Sequence, residues 1–299
     1  MIELSVIIPS FNTKDLLFNC LSSIYQETIK VEFEVIIVDN GSVDGSVAMV
    51  KNKFPDIKII KNKKNLGYAK ANNKGIKQAK GKYILFLNSD TVILNNAIEK
   101  SLNFMQTGEN IDILGCKLLN KDKTLQPSGG FLPNFRQIFY TMFFINETPV
   151  LKKLIRPYQQ NRLSFYNKTH KWGWATGAFL LVKKDVLINI GGFDEDFFMY
   201  AEEVEFCFRA AKAGFKCWYY PKAEVIHLKG RSSKNSFENS VLGEYRGLKK
   251  IYKKYKSVWQ TLMLRLILKS GAMLRIIIFA ILKGEEYKRR VYEKAFKLA

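Results

Sequence analysis

Histidine and cysteine are scarce in the 299-residue chain, with two and four copies. Cys20, Cys116, Cys207 and Cys217 share no Cys-x-x-Cys spacing. That argues against a zinc or dithiol site and leaves free thiols in a reducing compartment. Long hydrophobic runs are also missing. The apolar stretch 258–282 is broken by Arg265, Lys269 and Arg275, and its uncharged part 276–282 is far shorter than the ~18–20 residues of a spanning helix. No basic n-region precedes the first apolar run, so no secretory signal is expected and the sequons at Asn146 and Asn167 carry little weight. Acidic residues are few, 27 against 48 Lys and Arg, for a net charge of +21. Such a balance implies a polyanionic partner: nucleic acid, an anionic membrane or phosphorylated substrates.

What is present is an ordinary globular composition, 47% hydrophobic and 25% charged. The first 120 residues alternate short β-branched apolar runs with segments of helical spacing. Strands are predicted at 4–9, 33–38, 57–60, 83–87 and 111–119, with helices at about 16–24, 43–54, 67–79 and 95–106, the last capped by Asn95. This is the pattern of βαβ units and a mostly parallel sheet. Residues 126–171 are irregular, aromatic and basic. Strand character resumes at 172–182. A helix follows over 204–211, closed by Gly214, and two short strands are predicted at 216–220 and 223–227.

Ligands of such sheets sit beyond the carboxyl ends of the strands. That rule selects Pro9-Ser10-Phe11-Asn12, Asp39-Asn40-Gly41-Ser42 and Asn88-Ser89-Asp90-Thr91. Asp39 can accept hydrogen bonds from a base or ribose, or cap a helix. Asp90, two residues from Asn88, suits Mg²⁺ or Mn²⁺, or simply a turn. Glu202, Glu203 and Glu205 open a helix, where its dipole favours anions; a carboxylate there can also take a hydroxyl proton as general base. His227 is either structural or a ligand, with Lys229 and Arg231 after it able to hold phosphates. His170 reads as structural.

These motifs occur in a recognisable order: Val6-Ile7-Ile8-Pro9-Ser10-Phe11-Asn12, Val38-Asp39-Asn40-Gly41-Ser42, Asn65-Leu66-Gly67-Tyr68-Ala69, Phe86-Leu87-Asn88-Ser89-Asp90, Thr176-Gly177-Ala178, Gly191-Gly192-Phe193-Asp194, Met199-Tyr200-Ala201-Glu202-Glu203-Val204-Glu205 and Val225-Ile226-His227. Over residues 3–232 the chain resembles family 2 glycosyltransferases of the rhamnosyltransferase-like branch. The resemblance implies the α/β GT-A fold, a Rossmann-like mixed, mostly parallel sheet with flanking helices. It implies an inverting transfer of a sugar, hexosyl or deoxyhexosyl, from a nucleoside-diphosphate sugar to a hydroxyl of a lipid-linked or polysaccharide precursor, with Mg²⁺ or Mn²⁺. Asp39 would contact the nucleotide base, and Pro9, Ser10 and Phe11 would line its pocket. Asn40, Asn65, Asn88, Ser89, Lys229 and Arg231 would complete the nucleotide-sugar side. Asp90 and His227 would hold the metal, Glu203 would be the catalytic base, and Trp174, Thr176 and Glu202 would face the acceptor. Two positions depart from the pattern. Asn88 replaces the first aspartate of the Asp-x-Asp element, and Glu203 stands where many relatives have Asp.

The chain is divided into a catalytic domain, 1–235, and a helical segment, 236–299, expected to associate with a membrane. From 241 onward, 15 Lys/Arg oppose four Asp/Glu. Lys249, Lys250, Lys253, Lys254 and Lys256 on one helix, then an interfacial or re-entrant helix pair hinged near Lys269-Ser270-Gly271, would hold the protein on the cytoplasmic face of an anionic membrane. The alternative is a helical pair packed on the catalytic domain or in a dimer. A competing reading of the whole chain is a non-catalytic basic α/β domain binding a polyanion. The carboxylates gathered at strand ends argue against it, and nucleic acid is not expected as a partner.

Overall fold

Every second residue of the first strand enters a different core, and this sets the layering. The computed structural model describes residues 2–145, 148, 155–228, 236–282 and 284–299, so Asn146, Lys229 and Arg231 lie outside the described residues. Strand β1 (Leu4–Ser10) sends Leu4, Val6 and Ile8 to one side of the sheet and Ile7 to the other. In chain order there follow α1 (Lys14–Glu27), β2 (Phe33–Asp39), α2 (Ser46–Lys53), β3 (Lys58–Lys61), α3 (Tyr68–Ile76), β4 (Tyr83–Leu87), β5 (Thr91–Leu94), α4 (Ala97–Thr107) and β6 (Ile113–Leu119). Then come β7 (Leu125–Gln126), β8 (Gly129–Gly130), α5 (Phe135–Met142), β9 (His170–Trp172), β10 (Trp174–Ala175), β11 (Phe179–Lys183), α6 (Lys184–Ile190), α7 (Glu202–Lys212) and β12 (Cys217–His227). Three helices end the chain: α8 (Ser236–Tyr255), α9 (Val258–Ile277) and α10 (Glu286–Leu298).

The main sheet runs β3-β2-β1-β4-β11-β6-β12-β5. Its first four strands are parallel, as the βαβ pattern requires, and β11 is inserted antiparallel between β4 and β6. This is a mixed α/β sheet with helices on both faces. α1, α2 and α4 cover one face; α3, α5, α6, α7 and the C-terminal helices cover the other.

Several local expectations change. No strand is expected at β5, because four residues, Thr91–Leu94, show too little alternation to stand out. The two strands expected at 216–220 and 223–227 are one strand, β12, with a register shift between Tyr220 and Glu224. Pro221 lies at that shift, where its missing N–H cannot serve a ladder. Helix α4 begins at Ala97, because Asn95 and Asn96 both adopt positive φ, 48° and 55°, and neither caps by its side chain.

The C-terminal segment differs most from its expected form. Helix α9 is continuous through Lys269-Ser270-Gly271, so there is no hinge. Gly271 is there because α5 crosses at that point: a Cβ on Gly271 would lie 2.7 Å from Met142 Cβ. Of the basic residues that interrupt the apolar stretch, Arg275 turns inward, while Arg265 and Lys269 lie along the C-terminal end of the chain, Arg265 exposed. Arg275 is buried and donates to the carbonyls of Thr141 (2.8 Å) and Gly271 (3.1 Å), and Arg265 donates to Ala299 O at 2.9 Å. Lys269 sits 5.5 Å from the Phe296 ring centre. Beside Arg265, α9 exposes Val258, Trp259, Leu262, Met263, Leu266, Met273 and Ile277. No helix among the described residues is long and apolar enough to cross a membrane. Tyr245, Leu248, Ile251 and Tyr252 of α8 belong to the same core cluster as Ile7, Phe86 and Phe206.

Candidate active site

The parallel register aligns the ends of β1, β2 and β4 on one edge, and short side chains tie these ends together. Ser10 Oγ and Thr13 Oγ1 lie 2.9 Å apart, and Thr13 Oγ1 donates to Ser89 Oγ at 3.1 Å, linking β1 to β4. Asn12 Oδ1 accepts from Val43 N (2.8 Å), and Asn12 N donates to Ser42 Oγ (2.9 Å), linking β1 to β2. Phe11 stands half-exposed beside this edge, after the partly buried Pro9.

Asp39 is 3% exposed, and its Oδ2 accepts from Gly41 N and Ser42 N at 3.2 and 3.1 Å. Its Oδ1 is enclosed and has no partner among the described residues. A buried carboxylate oxygen without a donor costs about 1–3 kcal/mol or more, so this atom is poised to accept a hydrogen bond from a ligand. Next to it Asn40 Oδ1 accepts from Asn62 Nδ2 at 2.9 Å, and Asn40 Nδ2 donates to Gly67 O at 3.4 Å. Asn65 Oδ1 accepts from Gly67 N (2.9 Å), an Asx turn that fixes the start of α3.

Asp90 and His227 are brought together by the strand that sequence reading missed. Thr91 in β5 pairs with His227 in β12, and this sets His227 Nε2 3.3 Å from Asp90 Oδ1. Asn88 Nδ2 lies 3.3 Å from the same nitrogen. Gln126, which sequence reading did not single out, fixes the ring. Its amide nitrogen donates to Asn120 Oδ1 (2.8 Å) and His227 O (3.1 Å), so its Oε1 faces His227 Nδ1 at 2.7 Å. In the neutral ring the proton then sits on Nδ1, and Nε2 turns a lone pair toward Asp90. Two lone-pair donors held face to face fit a shared divalent cation, whose adjacent ligands at 2.0–2.1 Å stand about 3 Å apart. The outward hydrogen bond from the ring is the usual support of a metal-bound histidine. Among the described residues there is no group of three or more His, Cys, Asp or Glu suited to a metal. That is compatible with Mg²⁺ or Mn²⁺, which take few protein ligands and leave positions for substrate phosphates.

The acidic cluster separates into two environments. Glu205 is fully buried and forms a two-pronged pair with Arg209, Oε1 to Nε at 2.7 Å and Oε2 to Nη2 at 3.0 Å. Arg209 also donates to Gly192 O at 2.6 Å, so this pair locks α7 to the Gly191-Gly192 turn. Glu202 and Glu203 take no part in this pair, and Oε2 of each is enclosed with no partner among the described residues. Burial pushes the Glu203 carboxyl up to about 7, against hydrogen bonds from its own N–H and that of Gly177, which lower it. Burial and the neighbouring Glu203 raise Glu202 well above the usual carboxylate range. Two buried carboxyls this close disfavour each other's ionised form and titrate as a pair. The turn that aims them is strained, since Tyr200 and Ala201 have φ of 71° and 68°, at about 1–2 kcal/mol each.

The segment 174–178 joins this pair to the strand ends. Asn88 N donates to Ala178 O at 3.2 Å, and Tyr68 OH donates to Gly177 O at 2.8 Å. Thr176 Oγ1 accepts from Ala178 N at 3.4 Å, and Trp174 Nε1 donates to Tyr158 O at 3.0 Å. Trp174 is therefore mostly buried, with its indole edge satisfied inside the protein.

Comparison with known proteins bears on the family and the fold. The family model for glycosyl transferase family 2 matches residues 5–190. The N-acetylglucosaminyl-diphospho-decaprenol L-rhamnosyltransferase of Mycobacterium tuberculosis is 29% identical over 213 residues, 67% of this chain and 67% of that protein. Among solved structures, the mannosyltransferase PcManGT from Pyrobaculum calidifontis, in complex with GDP-Man and Mn²⁺, superimposes with a TM-score of 0.60 at 15% identity, covering 99% of this chain and 85% of that one. TarS 1-349 from S. aureus gives 0.54 at 15% identity, covering 99% and 89%. These likenesses concern the GT-A fold.

Proposed function

The chain belongs to glycosyl transferase family 2, and on that premise we propose that it moves a sugar from a nucleoside-diphosphate donor to a hydroxyl of a lipid-linked glycan precursor, with inversion. The observation that carries the reading is the set of carboxylates left for ligands at the strand ends and the start of α7: Asp39 Oδ1 and Glu203 Oε2 without partners among the described residues, and Asp90 Oδ1 facing His227 Nε2. Asp39 receives the nucleotide base, with Pro9, Ser10, Phe11, Asn40 and Asn65 around it and Asn88 and Ser89 toward the diphosphate. Asp90 and His227 hold Mg²⁺ or Mn²⁺, which when bound neutralises charge on the leaving diphosphate. Glu203 takes the proton of the acceptor hydroxyl, which attacks the anomeric carbon opposite the breaking bond. Trp174, Thr176 and Glu202 shape the acceptor side. The rhamnosyltransferase relative is named for a diphospho-decaprenol acceptor, and this supports a lipid-linked acceptor here.

A panel of nucleotide-sugars in a thermal-shift assay with Mn²⁺ tests the donor, since a specific ligand raises the melting temperature by mass action. Asp90→Asn should abolish the Mn²⁺-dependent part of that shift, and Asp39→Ala should weaken nucleotide binding with or without metal. Gln126→Leu, which frees the His227 ring, should weaken Mn²⁺ binding by about 10–100-fold in an EPR titration. Full transfer in excess EDTA would refute the metal role, and a product that keeps the donor's anomeric configuration would refute a single displacement.

Residues 1–235 supply the site residues, and 236–299 supply a helical wall and a membrane-facing surface. The second part is supported by α9, where Arg275 is buried while Trp259 and Leu266 are 71% and 59% exposed. A helix with this stripe lies in the interface of a bilayer. The ammonium groups of α8 contribute less, because Lys249 donates to Leu298 O and Lys254 is paired with Asp194. The protein should float with anionic liposomes at low salt, and Trp259→Ser with Leu266→Ser should prevent it. Absence of flotation, with a concentration-dependent dimer in sedimentation, would assign the stripe to a second copy instead.

A further inference from the structure

We infer that helix α8 is a positioning element of the active site: its face at Gly243, Gly247, Lys250 and Lys254 holds the left-handed turn Tyr200–Ala201 that aims Glu202 and Glu203. The inference rests on Glu203 as the base.

Two consecutive non-glycine residues with positive φ persist only where the surroundings over-determine them. Here the turn is held from both sides. On one side, α3 starts directly against it: a Cβ on Gly67 would overlap Phe198 O, and Tyr68 N donates to that oxygen at 2.8 Å. On the other side lies α8. A Cβ on Gly243 would stand 2.5 Å from Tyr200 Cδ2, and one on Gly247 would overlap Ala201 Cβ. Positions 243, 247, 250 and 254 follow the spacing of one helix face. Lys250 Nζ donates to Asp196 O and lies 5.2 Å from the Phe197 ring centre. Lys254 Nζ reaches Asp194 Oδ2 at 2.6 Å, and at the next residue Tyr255 OH donates to Glu205 Oε1. One face of a helix that sequence reading assigned to a membrane therefore grips the segment 194–205 along its length. Glycine at 243 and 247 lets the α8 backbone approach a turn that itself contains no glycine.

The test is Gly247→Ala, whose methyl would push on Ala201. Turnover should fall about tenfold or more, as misplacement of a reacting group does, while nucleotide binding by thermal shift stays at the wild-type level. Adding Ala201→Gly removes the opposing methyl and suits the positive φ, so the double variant should recover turnover. Lys254→Met, a partly exposed position, should lower turnover with unchanged nucleotide binding and keeps the test decisive if Gly247→Ala does not fold. Wild-type turnover in folded Gly247→Ala, or in Lys254→Met where it does not fold, overturns the inference; so does a loss that Ala201→Gly leaves unrescued. Glu203→Gln run in parallel separates the two readings. If it is slow while Gly247→Ala is normal, only the positioning role fails; if it turns over normally, the base assignment fails.

Discussion

Glu203→Gln should lower turnover by about 10²–10⁴-fold, the usual contribution of a general base, with nucleotide-sugar binding retained. The pH dependence follows from burial. Because the Glu203 carboxyl is pushed up to about 7, the carboxylate needed for proton abstraction forms only as pH rises through that value. Wild-type kcat/KM should therefore increase about tenfold per pH unit below about 7 and level off above it. The apparent midpoint belongs to the Glu202–Glu203 pair. Stability runs the opposite way. Below 4.5, the carboxyl's ordinary value, it is protonated in folded and unfolded chains alike and there is no penalty. Between 4.5 and about 7 the unfolded chain ionises while the folded one keeps its proton. Stability is thus lost across that window, and the loss is constant above it. The Gln variant lacks this penalty, so its melting temperature should fall less than wild type's between pH 5 and pH 8. A pH-rate profile with no acid limb near 7, or normal turnover in the variant, would remove Glu203 from this role.

Deleting residues 236–299 should leave a chain that does not fold cooperatively. Tyr245, Leu248, Ile251, Tyr252, Leu264 and Leu268 are each no more than 2% exposed and pack into the core that contains Phe206 and Met142. Losing one large buried side chain costs about 2–5 kcal/mol, and whole domains are stable by only about 5–15 kcal/mol. The milder Tyr252→Ala should fold with a melting temperature lower by about 10 °C, from about 3–5 kcal/mol at about 2–4 °C per kcal/mol. Circular dichroism melts of both proteins check this. A truncated chain with a sharp transition and normal nucleotide binding would mean that 1–235 is self-sufficient.

The sequence by itself determined the parallel half of the sheet and the residues at its edge. Strands as apolar as Val6-Ile7-Ile8 and Val35-Ile36-Ile37-Val38 can only be buried on both faces, and polar turn residues must then follow them. That logic placed Ser10, Asp39, Asn88 and Asp90 on one rim without any knowledge of contacts. Tertiary structure decided what depends on pairing between distant segments. His227 reaches Asp90 only because β5, four residues long, pairs with the end of β12, and so short a strand has no period to read. Gln126 matters only because its amide lies between Asn120 and His227. The three glutamates looked equivalent along the chain. A helix turns about 100° per residue, so Glu203 and Glu205, about 160° apart, take opposite sides, and only Glu205 meets Arg209. The tail shows the limit most clearly. Its composition, basic and apolar, is plain in the sequence, but which side chains turn inward is set by what α9 packs against. There the carbonyls at the end of α5 and at the chain's C-terminus accept hydrogen bonds from Arg275 and Arg265, so the Arg275 guanidinium is held inside while Arg265 stays at the surface beside large apolar side chains.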